Sequence, residues 1–346
     1  AWLSQSLPEH ANISVNGQTL SVQQFEALNQ IYQQHQFTIQ TNLDLINEIW
    51  TDRPALPQEA IWQMAEGLNA QSRLEKISLI RSTLNTKNAS AHFISALDDI
   101  AWILNCRGQD VEYNPVFLAH LFIDTSRTIL FIDDTKLSKE LCQFLAQDQI
   151  EILPYIQTEI FLSQRSQQQV LIDPAKMSIL HAQSIQKNNQ LVQDINPSTL
   201  FKSRKHATEI THIRNAMTKD GVALCHFFHW LETALSQNQH INELTIDEKI
   251  TAFRAEQAGF IGLSFSTIAG FNANGALPHY RATKDSYSQI QGDGLLLIDS
   301  GAQYHDGTTD ITRVIPIGTP STEQKRDYTP LLSHNFSQEE AHLSFL

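Results

Sequence analysis

The chain has few cysteines, a deficit of positive charge and no long apolar run, and each shortage excludes a class of protein. Its 346 residues include three cysteines, which are too few and too widely spaced for a disulfide scaffold or a C-x-x-C metal site. Lysine and arginine total 24 against 37 acidic residues, so the net charge is -13. Because nucleic acid and anionic membrane surfaces repel such a chain, we expect neither as a partner.

No run of about 18 apolar residues occurs, so we expect no membrane-spanning helix. The chain begins at Ala1, without a methionine and without a basic-then-apolar leader. Together with the sparse cysteines, this indicates a cytoplasmic protein. We expect Cys106, Cys142 and Cys225 to be small buried hydrophobic residues. The length suggests two or three compact units at about 100–200 residues each.

Several common catalytic signatures are also absent. The sequence contains no H-E-x-x-H, no G-x-x-x-x-G-K, no G-x-G-x-x-G and no G-x-S-x-G. These absences disfavour helix-borne zinc proteases, P-loop ATPases, dinucleotide enzymes and the common serine hydrolases. Any chemistry must be carried by other residues.

Prolines and alternating patterns divide the chain. Trp50-Thr-Asp-Arg-Pro-Ala-Leu-Pro57 holds two prolines, which disfavour helix, and it predicts an interdomain linker. Residues 58–200 alternate strand and helix patterns, which indicates an α/β domain. A second boundary is predicted near Asn196-Pro197.

Residues 201–317 predict two helices followed by a strand-rich sheet, an α+β pattern. The first helix has one apolar face, predicted to enter the core, formed by Ile210, Ile213, Met217, Leu224, Phe228 and Leu231. A capping box at Thr245 and Glu248 predicts the start of the second helix, which should end at Gly259. The strands are predicted over 264–269, 294–300 and 309–317.

Two aspartates flank a predicted hairpin in this region. Asp299 directly follows four apolar residues, and a charge at the end of a buried strand must be paired, hydrogen-bonded or bound to metal. Asp310 begins the next strand, and carboxylates on rigid strands suit a hard divalent cation. The alternative, in which one aspartate caps a strand and the other forms a salt bridge, stays open.

The spacing does not bring the two aspartates together directly. Asp306-Gly307 is a hairpin turn signal, and a two-residue turn there sets Asp310 opposite Gln303. Placing Asp310 near Asp299 therefore requires a bulge or an off-centre turn.

A histidine is the third candidate. His279 follows a loop that contains glycine and proline, where an imidazole can act as a general acid or an oxyanion partner. An ordinary loop histidine is the alternative.

Three segments, in order along nearly the whole chain, resemble the Xaa-Pro aminopeptidase (aminopeptidase P) family. They are Leu45-Ile-Asn-Glu-Ile-Trp-Thr-Asp-Arg-Pro-Ala-Leu-Pro57, residues 95–115 and Asp299-Ser-Gly-Ala-Gln-Tyr-His-Asp-Gly-Thr-Thr-Asp310. The resemblance implies a creatinase-N-like α/β domain over 58–200 and a pita-bread catalytic domain over 201–329. It makes residues 1–50 the remnant of a first α/β domain.

The resemblance also implies an activity, which is release of an N-terminal residue that precedes proline, with two divalent metal ions, usually manganese. It implies that Asp299 and Asp310 are metal ligands, with Asp310 placed to bridge both ions. His279 would stabilise the tetrahedral intermediate or shuttle protons. The implied partners are a peptide with proline in second position and a second copy of the chain. Two alternatives remain, a prolidase- or creatinase-like hydrolase and a non-catalytic pita-bread binding protein.

The resemblance extends to about residue 329. The family's later histidine and two glutamate ligands are not recognisable in 330–346, which resembles no continuation of the family. We therefore expect a chain truncated at both ends, with an incomplete catalytic domain, weak metal binding and little peptidase activity.

Overall fold

The structure, a computed structural model, describes residues 2–330. The chain divides into two compact units, Ala1–Thr208 and Glu209–Leu346. The predicted tail covers 330–346, and its residues from 331 onward are outside the described part of the chain. The predicted division of the first unit into 1–50 and 58–200 stays a prediction. Among the described residues, no helix has both the length and the apolar composition needed to cross a membrane.

The first unit alternates helices and strands. Its helices are α1 (Trp2–Ser6), α2 (Val22–Gln34), α3 (Leu45–Ile49), α4 (Arg73–Thr86), α5 (Leu97–Leu104), α6 (Lys139–Gln147), α7 (Thr158–Gln164), α8 (Ile179–Gln186) and α9 (Pro197–Ser203). Its strands are β1 (Asn12–Ser14), β2 (Thr38–Gln40), β3 (Trp62–Gln63), β4 (Ala91–Ile94), β5 (Cys106–Arg107), β6 (His120–Asp124), β7 (Thr128–Ile132), β8 (Ile150–Pro154), β9 (Gln169–Ile172) and β10 (Gln190–Gln193). The predicted linker ends in an irregular segment, 53–61.

A six-stranded sheet in the order β10-β9-β4-β6-β7-β8 is the centre of this unit. Every residue of β4, β6 and β7 is buried, as expected for central strands covered on both faces. Alternate residues enter opposite cores, as in β4, where Phe93 joins one hydrophobic cluster and Ile94 joins the other. The predicted α/β fold is confirmed.

The second unit places two long helices before a set of strands. Its helices are α10 (Ala207–Ser236), which begins at the junction of the units, and α11 (Glu243–Ala255), and residues 322–330 are also helical. Its strands are β11 (Phe260–Leu263), β12 (Ile268–Phe271), β13 (Gly294–Ser300), β14 (Ala302–Tyr304), β15 (Gly307–Thr308) and β16 (Ile311–Ile317). They form two three-stranded sheets, β11-β14-β15 and β12-β13-β16. The predicted strand over 264–269 is thus replaced by β11 and β12, with a break between them.

Gly301 lies at the junction between these sheets. The amide of Ser264 donates to the Gly301 carbonyl at 3.1 Å, and the Ser264 hydroxyl donates to the Thr309 carbonyl at 2.8 Å. A Cβ on Gly301 would overlap both the Thr309 carbonyl oxygen and the Ser264 hydroxyl. Three chain segments therefore cross at a point where a side chain at position 301 does not fit.

A buried ion pair joins the two helices beneath the sheet. Asp220 on α10 and Arg254 on α11 are both fully buried, and they form two hydrogen bonds of 2.7 and 2.9 Å. The hydroxyl of Tyr304 on β14 donates to the same carboxylate at 3.0 Å. Burial, followed by the charge of Asp220, raises the pKa of Tyr304, which keeps its hydroxyl a donor. This network fixes both helices against the hairpin.

The predicted core face of α10 is wrong in its first half. Ile210, Ile213 and Met217 are all more than a third exposed. The hairpin approaches α10 so closely that a Cβ at Gly307 would lie 3.0 Å from the Cβ of Ala216. Small and ion-paired residues of α10 therefore face the sheet there. In the second half the prediction holds, because Leu224 and Leu231 are buried and Phe228 packs against the core.

Two smaller expectations are also corrected. Helix α11 is capped by Asn242, whose side chain accepts from the amide of Thr245, so the helix begins before the predicted capping box and ends at Ala255. An asparagine accepts this bond as well as a threonine does. Of the three cysteines, Cys106 is buried and Cys225 is exposed on α10.

We predict that Gly301→Ala lowers the free energy of unfolding of the second unit by about 3 kcal/mol, because the added methyl group meets backbone and cannot be relieved by a rotamer change. The matched control is Gly221→Ala in the interior of α10, where a Cβ meets no atom within 4 Å and alanine is expected to stabilise by about 0.5–1 kcal/mol. Hydrogen exchange of peptides from 294–317 in increasing urea measures both. Equal stability of the two variants would contradict the prediction.

We also predict that Arg254→Met destabilises the second unit by about 3–5 kcal/mol, because the Asp220 carboxylate is left buried without its cation. The double variant Asp220→Leu/Arg254→Met should recover most of the loss, since it removes both charges. Urea denaturation of the three proteins measures the difference. A double variant as unstable as the single one would show that packing, rather than charge, sets the cost.

Candidate active site

The hairpin turn lies one residue earlier than predicted. Tyr304 pairs with Gly307, so the turn consists of His305 and Asp306. Asp306 is not free to serve a metal, because it forms an ion pair with Lys219 at 2.8 Å. The tight turn is thus fastened to α10.

This register brings the predicted pair together without a bulge. Asp299 pairs with Thr312 across β13 and β16, and Asp310 precedes Thr312 by two residues. Residues two apart on a strand point to the same face, so the two aspartates are diagonal neighbours. Of the two possibilities left open, the off-centre turn is the one observed.

The two carboxyl groups interact directly. Burial, then the negative charge of Asp299 and a hydrogen bond between the carboxyl groups, raise the pKa of Asp310 above its ordinary value. Asp299 is half-buried and also accepts a 2.8 Å hydrogen bond from the Thr312 hydroxyl. In the part of the chain that the structure describes, neither aspartate forms a salt bridge. Paired carboxylates without a protein cation are suited to binding a cation from solution.

The two aspartates are the right type of ligand for a divalent metal ion, but the described ligand set is incomplete. Carboxylate oxygens on rigid strands are the ligands that hard divalent cations prefer. Within residues 2–330, however, no group of three or more histidine, cysteine, aspartate or glutamate side chains could hold a metal ion. Asp299 and Asp310 are thus two candidate ligands, and their role at a metal stays a prediction.

His279 lies on the loop between β12 and β13. It occupies an exposed turn with a φ of 57°, a left-handed conformation uncommon for a side-chain-bearing residue. No described hydrogen bond joins it to Asp299 or Asp310. Of the three predicted site residues, the structure places Asp299 and Asp310 near each other and His279 on this loop, and their roles stay predictions.

Glu243, which the sequence did not single out, holds that loop. Its side chain is fully buried at the start of α11. It accepts hydrogen bonds from the amides of Phe271 and Ser288, each at 2.7 Å, from the Tyr280 hydroxyl at 2.8 Å and from the Asn274 side chain at 3.1 Å. Both ends and the middle of the loop are thereby fixed to one carboxylate.

Tyr280 stands next to His279 and is the link between the histidine and this carboxylate. Burial, followed by the hydrogen bond to Glu243, raises the pKa of Tyr280 to about 12, so the hydroxyl remains a donor at neutral pH. The sequence signal that could have found Glu243 is an acidic residue directly after the capping Asn242. That pattern is common at helix starts, and it does not distinguish a buried carboxylate from a solvated one.

We predict that Glu243→Ala loosens the 272–288 loop and raises the rate of tryptic cleavage after Arg281 and Lys284 about tenfold or more. The lost hydrogen bonds are to a charged acceptor, each worth about 1.5–3 kcal/mol. Glu256→Ala, at the exposed end of the same helix, is the control and should leave cleavage unchanged. Mass spectrometry of the fragments measures the rates, and unchanged cleavage in Glu243→Ala would exclude this anchoring role.

Comparison with known proteins matches each half of the chain to a family. Residues 52–209 match the creatinase/prolidase N-terminal domain, and residues 211–338 match metallopeptidase family M24. The chain is 32% identical over 342 residues to the Xaa-Pro aminopeptidase ApepP of Drosophila melanogaster, covering 97% of this chain and 56% of that protein. It is 34% identical over 339 residues to a probable Xaa-Pro aminopeptidase P of Laccaria bicolor, covering 96% and 52%.

A solved structure agrees with these matches. The crystal structure of X-prolyl aminopeptidase from Caenorhabditis elegans superposes with a TM-score of 0.85 at 26% identity, over 93% of this chain and 54% of that one. That protein is described as a cytosolic enzyme with a di-nuclear active site. The chain spans about half the length of these relatives. The resemblance to the Xaa-Pro aminopeptidases is confirmed, and the chain belongs to the M24 metallopeptidases that carry a creatinase/prolidase-type N-terminal domain.

Proposed function

We propose that the chain is part of a metallo-aminopeptidase that releases an N-terminal residue preceding proline. The observation that carries the proposal is the close placement of Asp299, on β13, and Asp310, directly before β16, in a segment that matches family M24. When the charge of one carboxyl group raises the pKa of its neighbour, the two groups repel each other in their ionised forms. A divalent cation bound between them removes this repulsion and so stabilises the pair. The substrate class follows from the relatives named Xaa-Pro aminopeptidase.

Each residue has a defined part in this proposal. Asp299 and Asp310 would hold the ions, and the family resemblance implies that Asp310 would contact both. Two divalent ions, when bound, supply Lewis acidity at a peptide carbonyl and a nucleophilic water at neutral pH. His279 moves a proton or stabilises negative charge at the reacting peptide bond, while Glu243 positions the His279 loop. An amide that precedes proline is tertiary and sterically hindered, which is why strong activation is needed.

Three finer assignments belong to the same proposal. The metal is manganese, as the family resemblance implies, and carboxylate oxygens are ligands that suit it. The enzyme acts in the cytosol, as the nematode relative is described to do. A homodimer is the assembly expected from the family resemblance.

We predict that the 346-residue chain binds Mn²⁺ weakly and that Asp310→Asn lowers the affinity about tenfold or more, because one of two carboxylates is lost. Asp299→Asn should have a similar effect. Electron paramagnetic resonance of free Mn²⁺ measures binding. Asp285→Asn, on the exposed part of the loop, is the control, and an equal loss in that variant would show that binding is non-specific.

We predict that any alanine released by the chain with Mn²⁺ comes from the peptide Ala-Pro-Phe and not from Ala-Ala-Phe. The rate should be low, since the described residues supply only two carboxylates. Quantification of free alanine by mass spectrometry, with and without a chelator, provides the measurement. Metal-independent release, or preference for Ala-Ala-Phe, would contradict the proposed function, and rapid turnover would contradict the expected low rate.

A further inference from the structure

A cavity of about 670 Å³ opens in the first unit, at the ends of several strands of the six-stranded sheet. Its walls include the residues that directly follow β4 and β8 (Ser95 and Tyr155), Lys176 in the turn after β9, and the first residue of β6, His120. Strands β6, β7 and β8 lie on one side of β4, and β9 and β10 lie on the other side, so the direction of the strand order reverses at β4. In open α/β sheets, ligands bind outside the carboxyl ends of the strands at such a switch point.

Two histidines meet inside this cavity. The ring of His120 is stacked on Tyr155 at 4.9 Å and meets the edge of His181 at 4.7 Å. His120 is only 7% exposed. Burial lowers the pKa of His120 to about 3 and that of His181 to about 4, so both rings are uncharged at neutral pH.

A neighbouring hydroxyl group contacts Nδ1 of each ring. The Ser178 hydroxyl accepts from the amide of His181 as the cap of α8 and lies 3.0 Å from His181 Nδ1, and when it donates its hydrogen to Nδ1 the ring proton is on Nε2. The Ser95 hydroxyl donates to the sulfur of Met177 and therefore accepts from His120 Nδ1 at 3.0 Å, which leaves Nε2 an acceptor. No described hydrogen bond engages Nε2 of either ring. In that tautomer the cavity presents one free donor, His181 Nε2, and one free acceptor, His120 Nε2.

The rim adds one charge of each sign. Lys176 and Glu159 both line the cavity and are exposed. Leucine and methionine side chains, among them Leu97 and Met177, form an apolar wall. A complementary ligand carries a carboxylate and an ammonium group, an amide between them and an apolar side chain.

We propose that this cavity binds a short unblocked peptide, at a site formed entirely by first-unit residues. The peptide carbonyl accepts from His181 Nε2 and the peptide amide donates to His120 Nε2. The carboxylate contacts Lys176 and the ammonium group contacts Glu159. The volume lies in the range of sites for small organic ligands, and it accommodates two or three residues.

The probe is the dipeptide Ala-Leu, titrated calorimetrically into the full chain in the presence of a chelator. It lacks proline at the second position and the metal is removed, so failure here is independent of the proposed peptidase function. We expect one site per chain, with affinity about tenfold lower in Lys176→Ala, because a charge-assisted contact is lost. Ala-Leu amide should bind the unaltered chain about as weakly, and Lys176→Ala should not weaken it further.

The histidine pair is tested separately. His181→Leu should abolish binding, and free leucine, which lacks the amide, should bind at least about tenfold more weakly than Ala-Leu. Lys187→Ala and His240→Gln change exposed residues outside the cavity and should have no effect. Because Lys176 is exposed, its variant is expected to fold even if His181→Leu does not. No saturable binding at millimolar peptide, or equal affinity in Lys176→Ala, would overturn the proposal.

Discussion

The close approach of three backbone segments at Gly301 is the constraint on which the second unit depends. Ser264, Gly301 and Thr309 meet where the strands pass from one three-stranded sheet to the other. The hairpin keeps a single register through this crossing. Because no side chain intervenes, Asp299 and Asp310 stay on one face, next to the crossing. The candidate metal site is therefore a consequence of backbone packing as much as of the acidic residues themselves.

Much of this arrangement could be predicted from the sequence. Four apolar residues before Asp299 identified a buried strand, and alternating patterns identified the α/β domain that family matches and the structure confirm. The turn position was misassigned because Asp-Gly is the stronger local signal. Long-range pairing outweighed that signal, as the ion pair between Lys219 and Asp306 holds Asp306 against α10.

Other features were beyond reach because they depend on contacts between distant segments. The apolar face predicted for α10 did not include Asp220. This residue can be buried because Arg254 lies opposite and forms an ion pair with it. Glu243 is similar, since its partners lie as far along the chain as Ser288. A sequence pattern treats both as ordinary surface acids. Whether a carboxylate is buried and fully hydrogen-bonded depends on contacts made in the folded protein, which the local sequence does not encode.

The placement of both aspartates within one hairpin has a consequence for folding. Their approach requires only a short loop to close, so its cost in chain entropy is small. Glu243 is different, because it joins segments that must first be gathered from across the unit. Closing the hairpin therefore contributes little to the entropy lost when the acidic pair is ordered, whereas ordering the His279 loop around Glu243 requires segments that are distant in the chain to meet.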